Sequence, residues 1–239
     1  SGVALGVSGA PLQVSLAKVR EHIVAVTEAA GRSVSPERLA AEGVTLLAGA
    51  ALFVDPNTIM AGDMAIRPRR VVLAVGSRPA APDLPGLDTV ETVSVADVLD
   101  LGRKPAHLLI LGGGPYVLEL AQGLTRLGID TSVIAEGPAL PDEDPELAAL
   151  VVDRLRAEGV RIRTDVKIAS VARRRGGIRL TVVDPTEGEV AVDGSHLLLA
   201  TGRTPDVEGL GLSAAGIAHN RDGIVVDRGL RTSNRRVYA

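Results

Sequence analysis

Gly112, Gly113 and Gly114 stand between an apolar pentad, His107-Leu108-Leu109-Ile110-Leu111, and a segment of helical periodicity, Pro115 to Leu127. Glycines at a strand-to-helix junction let the backbone turn tightly and approach a bound group closely. The helix start then presents N–H groups without helical partners and the positive end of its dipole. That combination suits a pyrophosphate. Gly112-x-Gly114-x-x-Val117 follows the dinucleotide-binding spacing, and a second apolar run, Thr131 to Ala135, comes where such a unit needs its next strand. Two positions depart from the pattern. Val117 replaces the third glycine, whose task is close helix–strand packing, so either the helix is displaced or its packing partner is small. Ala135 stands where an acidic residue would meet the ribose hydroxyls, with Glu136 immediately after it, 24 positions past Gly112. Glu136 either takes over that task or is a solvated loop charge. No Arg or Lys lies between Glu136 and Asp144 to receive a 2′-phosphate, which favours NAD(H) over NADP(H).

The elements that must position these residues follow from periodicity. Leu16, Val19, Ile23, Val26 and Ala30 predict a helix over 13–30 with Gly31 as its C-cap. Ala51 to Val54 reads as a strand, Ala61-Gly62-Asp63 as a hairpin, and Arg69 to Gly76 as a buried strand. Pro79, Pro82 and Pro85 then make a stiff connection. From His107 onward strand and helix alternate. The helix begun at Asp144-Pro145 carries Leu147, Leu150, Val151 and Leu155 as its apolar stripe and ends at Gly159. Val160 to Ile162 is a third strand, 165–173, 177–184 and 189–193 an antiparallel meander, and His196 to Thr201 a returning strand. Such alternation implies a parallel sheet. One echo stands out: Val71 to Pro79 resembles Leu197 to Pro205, each an apolar run, then Ala-x-Gly, then Pro three residues on. Either these are two ordinary strand ends or they share a structural role.

Composition narrows the function classes. The 239 residues hold 26 Lys+Arg against 29 Asp+Glu, a net charge of −3, so the basic excess of a nucleic-acid binder is missing. One Phe, two Tyr and no Trp cannot build a stacking platform for single strands. No apolar run reaches the ~18 residues of a spanning helix, so no membrane partner is expected. The absence of cysteine removes disulfides, thiolate metal sites and a thiol nucleophile from this stretch and is compatible with a reduced, cytoplasmic setting. Arg173-Arg174-Arg175 suits a solvated hairpin tip, and Pro141-Asp142-Glu143-Asp144 an acidic helix start. His107 and His196 open aliphatic strands and suit strand-edge positions.

From about Ala51 onward the chain resembles the class I pyridine nucleotide–disulfide oxidoreductases, which include dihydrolipoamide dehydrogenase and mercuric reductase. Three segments carry the likeness in order and separation. They are Val72-Leu73-Ala74-Val75-Gly76-Ser77-Arg78-Pro79 with Leu84-Pro85-Gly86-Leu87, then Gly112 to Ala121, then Ala200-Thr201-Gly202-Arg203-Thr204-Pro205. The resemblance implies an α/β architecture: a Rossmann-type NAD(P)-binding domain at 103–222, with parallel sheet and antiparallel meander, flanked by a partial FAD-type domain at 1–102 and a return segment at 223–239. It implies hydride transfer from nicotinamide to FAD and on to a disulfide or other acceptor. Gly112, Gly113, Gly114, Pro115, Tyr116, Val117, Glu119, Ala135 and Glu136 would face the nucleotide, Glu119 toward the nicotinamide. Ala74, Gly76, Ala200, Thr201, Gly202 and Arg203 would join the domains near the flavin. The family's N-terminal flavin motif, its cysteine pair and its C-terminal dimerisation segment have no counterpart in these residues. With the start at Ser1-Gly2-Val3 and the stop at Tyr238-Ala239, the expectation is an internal fragment of a homodimeric enzyme. Such a fragment would bind NAD(H) weakly, hold no FAD and be inactive alone; no catalytic or metal residue is assigned within it. Two rivals remain: a non-enzymatic Rossmann module used for nucleotide sensing or interaction, and an intact enzyme whose other motifs lie outside this stretch.

Overall fold

Leu108, Leu109, Ile110 and Leu111 are all fully buried, as a strand covered on both faces must be. The computed structural model containing them describes residues 14–95, 97–98, 100–101 and 103–239. By contacts the chain forms two compact units, one from the chain up to Ala29 with Asp83–Ala200, the other from Ala30–Pro82 with Thr201–Ala239. The strand at 92–93 joins the sheet of the first unit, and residues 203–205 pair with 77–79 within the second.

In chain order, helices α1 (Leu16–Gly31) and α2 (Pro36–Ala41) precede a meander of β1 (Ala51–Asp55), β2 (Thr58–Ala61) and β3 (Met64–Ile66), then β4 (Val71–Val72) and β5 (Ser77–Pro79). Strand β6 (Thr92–Val93), β7 (His107–Leu111), helix α3 (Pro115–Arg126), β8 (Asp130–Ile134), helix α4 (Pro145–Ala157) and β9 (Arg161–Arg163) follow. Then come β10 (Lys167–Arg174), β11 (Gly177–Asp184), β12 (Gly188–Gly194), β13 (His196–Leu199) and β14 (Arg203–Pro205). Strands β15 (His219–Asn220), β16 (Gly223–Ile224) and β17 (Val237–Tyr238) close the sequence.

The first unit has three layers. Its middle is a five-stranded parallel sheet of order β6-β13-β7-β8-β9. Side chains alternate along β7. Leu108 and Ile110 pack under α3 and α4 with Val117, Leu118, Ala121, Leu124 and Leu155. Leu109 and Leu111 pack under the β10–β11–β12 meander with Val171, Leu180 and Val182. Register brings the C-terminal ends of three neighbours level, Leu199 beside Leu111 and Leu111 beside Ile134. In open sheets of this kind ligands bind beyond that edge.

The helices start and stop by local chemistry. Asp144 caps α4, its carboxylate accepting the N–H of Glu146 at 2.9 Å and of Leu147 at 3.3 Å, with Pro145 in the first turn. Past the far ends of both helices, the Glu158 carboxylate accepts Arg126 Nε and Arg154 Nε at 2.8 Å each. These guanidinium hydrogen bonds, Arg126 first, hold its carboxyl down at about 2. The buried face of α4 is Ala148, Val152 and Leu155. Leu147, Leu150 and Val151, expected inside, are exposed. Apolar residues lie almost all round this helix, so periodicity could not choose the face, and small Ala148 permits the closer approach to the sheet.

Two further expectations are corrected. Residues 69–76 do not form a long buried strand. Only Val71–Val72 pair, in parallel with β17, and Val72 and Val75 are exposed because that two-residue ladder brings no layer over them. Helix α1 has no fully buried residue; Leu16 packs on the first unit's core, but Val26 is exposed. Its Gly31 is right-handed (φ −62°), and the chain runs on into a 3-10 turn, so no left-handed cap forms.

In the second unit the echo between 71–79 and 197–205 becomes a pairing. Strands β5 and β14 are antiparallel, with Ser77 opposite Pro205, Arg78 opposite Thr204 and Pro79 opposite Arg203. Ser77 and Arg203 hold equivalent places in the repeat, as do Arg78 and Thr204, so each copy pairs with the other about a local dyad. The flanking bonds obey the same symmetry: Ala80 N–H donates to Gly202 O and Asp206 N–H to Gly76 O, both at 3.1 Å. Beyond this clasp, Phe53, Leu212, Ala215, Ile217 and Val237 form the unit's core.

Candidate functional site

Gly112, at the end of β7, has φ +133°, and a Cβ there would run into the Ala200 carbonyl oxygen. It would also stand 3.2 Å from Val117 Cγ2. The valine at the third glycine position therefore packs where Gly112 leaves room, and it is buried in the helix-side core. Gly113 is tight as well: its Cβ would lie 3.0 Å from Ala135 Cβ and 3.1 Å from the Pro138 carbonyl oxygen. Gly114 differs from both. Its backbone is ordinary extended (φ −73°, ψ 169°), and among the described residues nothing lies within 4 Å of where its Cβ would be.

The turn is braced from two sides. Gly112 N–H donates to Ile134 O at 2.9 Å, and Leu140 N–H to Gly113 O at 2.9 Å. Gly114 is the N-cap of α3 and Pro115 its first residue, so the proline's missing donor falls where no helical partner exists. Val117 and Leu118 N–H both donate to Gly114 O, at 3.1 and 3.2 Å. Among the described residues the amides of Gly113, Gly114 and Tyr116 have no backbone acceptor. The Tyr116 ring is exposed.

Ala135 is buried, and its side chain faces Gly113, so a carboxylate there would have no room. Glu136, the next residue, is exposed, and its Oε1 accepts the Ile168 N–H at 3.3 Å. Glu119 is exposed one turn into α3, on a groove of about 520 Å³ shared with Pro115, Leu118, Leu140, Leu150 and Val151. Ala200 closes the floor, its N–H donating to Leu111 O at 2.9 Å and its oxygen against Gly112. Thus Gly112–Val117, Ala135, Glu136 and Ala200 gather at one edge of the first unit's sheet.

The remaining expected residues lie in the second unit. Gly76 (φ +70°) and Gly202 (φ +139°) occupy equivalent places on the clasp. Arg203 Nε donates to Ser77 Oγ at 2.7 Å, Thr201 Oγ1 donates to Ala80 O at 3.3 Å, and Ala74 is exposed. Sequence reasoning missed Leu140, whose positive φ of 55° brings the 137–144 loop against Gly113, and Ile168, which orients Glu136. Neither had a readable signal, since both act through backbone amides.

His107 and His196 open β7 and β13, at the end of the sheet opposite this edge. His107, at the opposite end of β7, has Nε2 2.8 Å from Ser132 Oγ and 3.3 Å from Arg161 Nη1. Burial, aided by the Arg161 charge, pushes its pKa down. Among the described residues there is no group of three or more metal-binding side chains and no helix long and apolar enough to cross a membrane.

Comparison with known proteins agrees with this architecture. Residues 6–239 match the family profile described as pyridine nucleotide-disulphide oxidoreductase. A mercuric reductase of Streptomyces lividans is 38% identical over 208 residues, covering 84% of this chain and 44% of its own. A dihydrolipoyl dehydrogenase of Geobacillus stearothermophilus is 28% identical over 243 residues, covering 98% and 51%. Among solved structures, the HOCl-induced flavoprotein disulfide reductase RclA of Escherichia coli aligns with a TM-score of 0.71 at 26% identity, over 80% of this chain and 44% of that one. The chain spans between about a third and a half of the length of the curated relatives it matches. With its glycine turn at the carboxyl edge of a parallel sheet and the profile match along nearly its whole length, the chain belongs to the pyridine nucleotide-disulphide oxidoreductase family.

Proposed function

We propose that this chain carries the pyridine-nucleotide site of a flavin-dependent oxidoreductase, in which hydride passes from nicotinamide to FAD and on to a disulfide or another acceptor. One observation carries the nucleotide site. Gly112 and Gly113 are explained by close internal contacts, whereas Gly114 has ordinary dihedrals and open space before it. A group approaching from outside accounts for that glycine, and the amides of Gly114 and Tyr116 are donors suited to phosphate oxygens. When bound, the nucleotide would supply the hydride. Glu136, with Oε1 engaged by Ile168, has Oε2 left to accept from ribose hydroxyls, and its charge would oppose a 2′-phosphate. NAD(H) is therefore the preferred cofactor. Glu119 takes the nicotinamide end by family likeness.

Domain roles follow from the same likeness: 103–222 as the nucleotide domain, with 1–102 and 223–239 belonging to the flavin side. Ala74, Gly76, Ala200, Thr201, Gly202 and Arg203 are assigned near the flavin on that ground alone. No step is assigned to them. Family likeness also supports a homodimeric, cytoplasmic whole protein.

The test is separate titration of the purified chain with NADH and NADPH, followed by nicotinamide fluorescence and by calorimetry. NADH should bind about tenfold more tightly, and Glu136→Gln should narrow the gap, a tenfold ratio being the ~1.4 kcal/mol expected of one charge contact. No binding of either nucleotide would overturn the assignment.

A further inference from the structure

Strand β10 runs into its turn with three arginines in a row, Arg173, Arg174 and Arg175, all exposed. Among the described residues none of the three makes an ion pair, whereas Arg163 and Arg179 nearby both do. Arginines at a hairpin tip are ordinarily just solvated. Two features set this tip apart. It is pinned to the body of the first unit: a Cβ at Gly177 would run into the Gly194 carbonyl oxygen, and one at Gly194 into Leu109 of the core. The arginines therefore spring from backbone already held in place, which lowers the ordering cost of binding. The tip also borders a hollow of about 590 Å³, whose walls include Arg174, Arg175, Arg179, His107, Asp193 and Ser195.

The charges in this hollow do not cancel. Asp193 is the carboxylate on its wall, and Arg179 already holds it by both oxygens, Nε to Oδ1 and Nη2 to Oδ2 at 2.6 Å each. Burial pushes the His107 pKa down, so its ring adds no charge at neutral pH. Ser195 Oγ is engaged, accepting the His107 N–H at 3.0 Å and donating to His107 O at 2.8 Å. Arg174 and Arg175 are left as an excess of two positive charges. A phosphate monoester carries about −1.5 to −2 at pH 7, and planar guanidinium forks meet its oxygens in pairs. None of Phe53, Tyr116 and Tyr238, the aromatic residues of the chain, lines the hollow. Recognition there rests on the phosphate and not on a stacked base.

We propose that the hollow beside the β10–β11 turn binds a phosphate monoester through the guanidinium groups of Arg174 and Arg175. It lies at the His107 end of β7, and the glycine turn lies past Leu111 at the other end, so the two sites are separate.

The test is calorimetric titration of the whole chain with inorganic phosphate, glycerol 3-phosphate and a phosphoserine peptide. One phosphate per chain should bind, more weakly as salt rises. The double variant Arg174→Ala/Arg175→Ala should lose about a hundredfold in affinity. Arg174→Lys/Arg175→Lys, which keeps the charge without the forks, should lose about tenfold. A control of equal charge loss, Arg228→Ala/Arg235→Ala in the second unit, should bind like the parent. Binding should persist in Gly114→Ala, because the glycine turn takes no part in it. A tighter phosphoserine peptide makes a partner protein the source of the phosphate, and a tighter glycerol 3-phosphate makes a small metabolite the source. No phosphate binding by the parent overturns the proposal. So does binding that the Arg174/Arg175 variants leave intact, that the control weakens equally, or that Gly114→Ala abolishes.

Discussion

Substituting alanine at Gly112 and at Gly114 in separate variants should split stability from binding. At Gly112 the backbone sits at φ +133°, where a side chain costs about 1–3 kcal/mol. The new methyl would also overlap the Ala200 carbonyl oxygen, forcing the end of β13 away from β7, whose Leu111 O accepts the Ala200 N–H. Strain and lost packing together should reach about 3–4 kcal/mol, a large share of the ~5–15 kcal/mol that holds a domain folded. For a chain of this size that lowers the melting temperature by on the order of 10 °C. At Gly114 two small effects oppose each other. Losing a glycine N-cap costs ~0.5–1 kcal/mol, and restricting the unfolded chain returns ~0.4–1 kcal/mol. Stability should therefore be nearly unchanged. NADH affinity should fall by at least about tenfold, because the methyl fills the space where phosphate oxygens would meet the Gly114 and Tyr116 amides. Thermal melts by circular dichroism and NADH titrations on the same preparations give both readings. The reasoning fails if Gly114→Ala binds NADH like the parent, or if Gly112→Ala melts at the parent's temperature.

Replacing Val117 by glycine restores the usual dinucleotide pattern, yet Val117 is a core residue here. Lost burial of ~2 kcal/mol and a helix-interior glycine at ~1 kcal/mol should destabilise by about 3 kcal/mol in urea melts without improving NADH binding. Tighter binding with unaltered stability would show that the valine obstructs the site. For Glu158, whose carboxyl is held at about 2 against an ordinary 4.5, the stabilising contribution is complete above pH 4.5 and is lost as pH falls toward 2. Glu158→Gln should lower the melting temperature at neutral pH and flatten the acid limb of the stability curve. Parallel loss in both proteins through that window would refute the role given to the Arg126 and Arg154 pairs.

The glycine turn was legible because its causes are local: an apolar strand, three glycines and a proline-started helix lie within twenty residues. Its surroundings were not. Glu136 could be judged only as ligand contact or loop charge, since its partner Ile168 lies 32 positions away and offers a bare amide. Leu140 precedes a proline, which ordinarily pushes a residue to extended backbone, yet it is left-handed because its N–H reaches Gly113 O. Size does not mark the inward face of α4: small Ala148 faces the core and Leu150 does not. The run 69–76 looked like a core strand because hydropathy reports what a segment tolerates, whereas covering it requires partners from elsewhere in the chain.

The dyad-related clasp has a consequence for how this polypeptide could be rewired. Ala80 and Gly202 are hydrogen-bonded neighbours, although 121 residues separate them in sequence. The two strands leaving the clasp at Pro82 and Thr201 therefore start side by side. A tight turn of a few residues could join them and leave 30–82 and 201–239 as one continuous piece with every clasp bond intact. The clasp bonds all run between residues 76–80 and 201–206, so none of them is made by a residue of the stretch between.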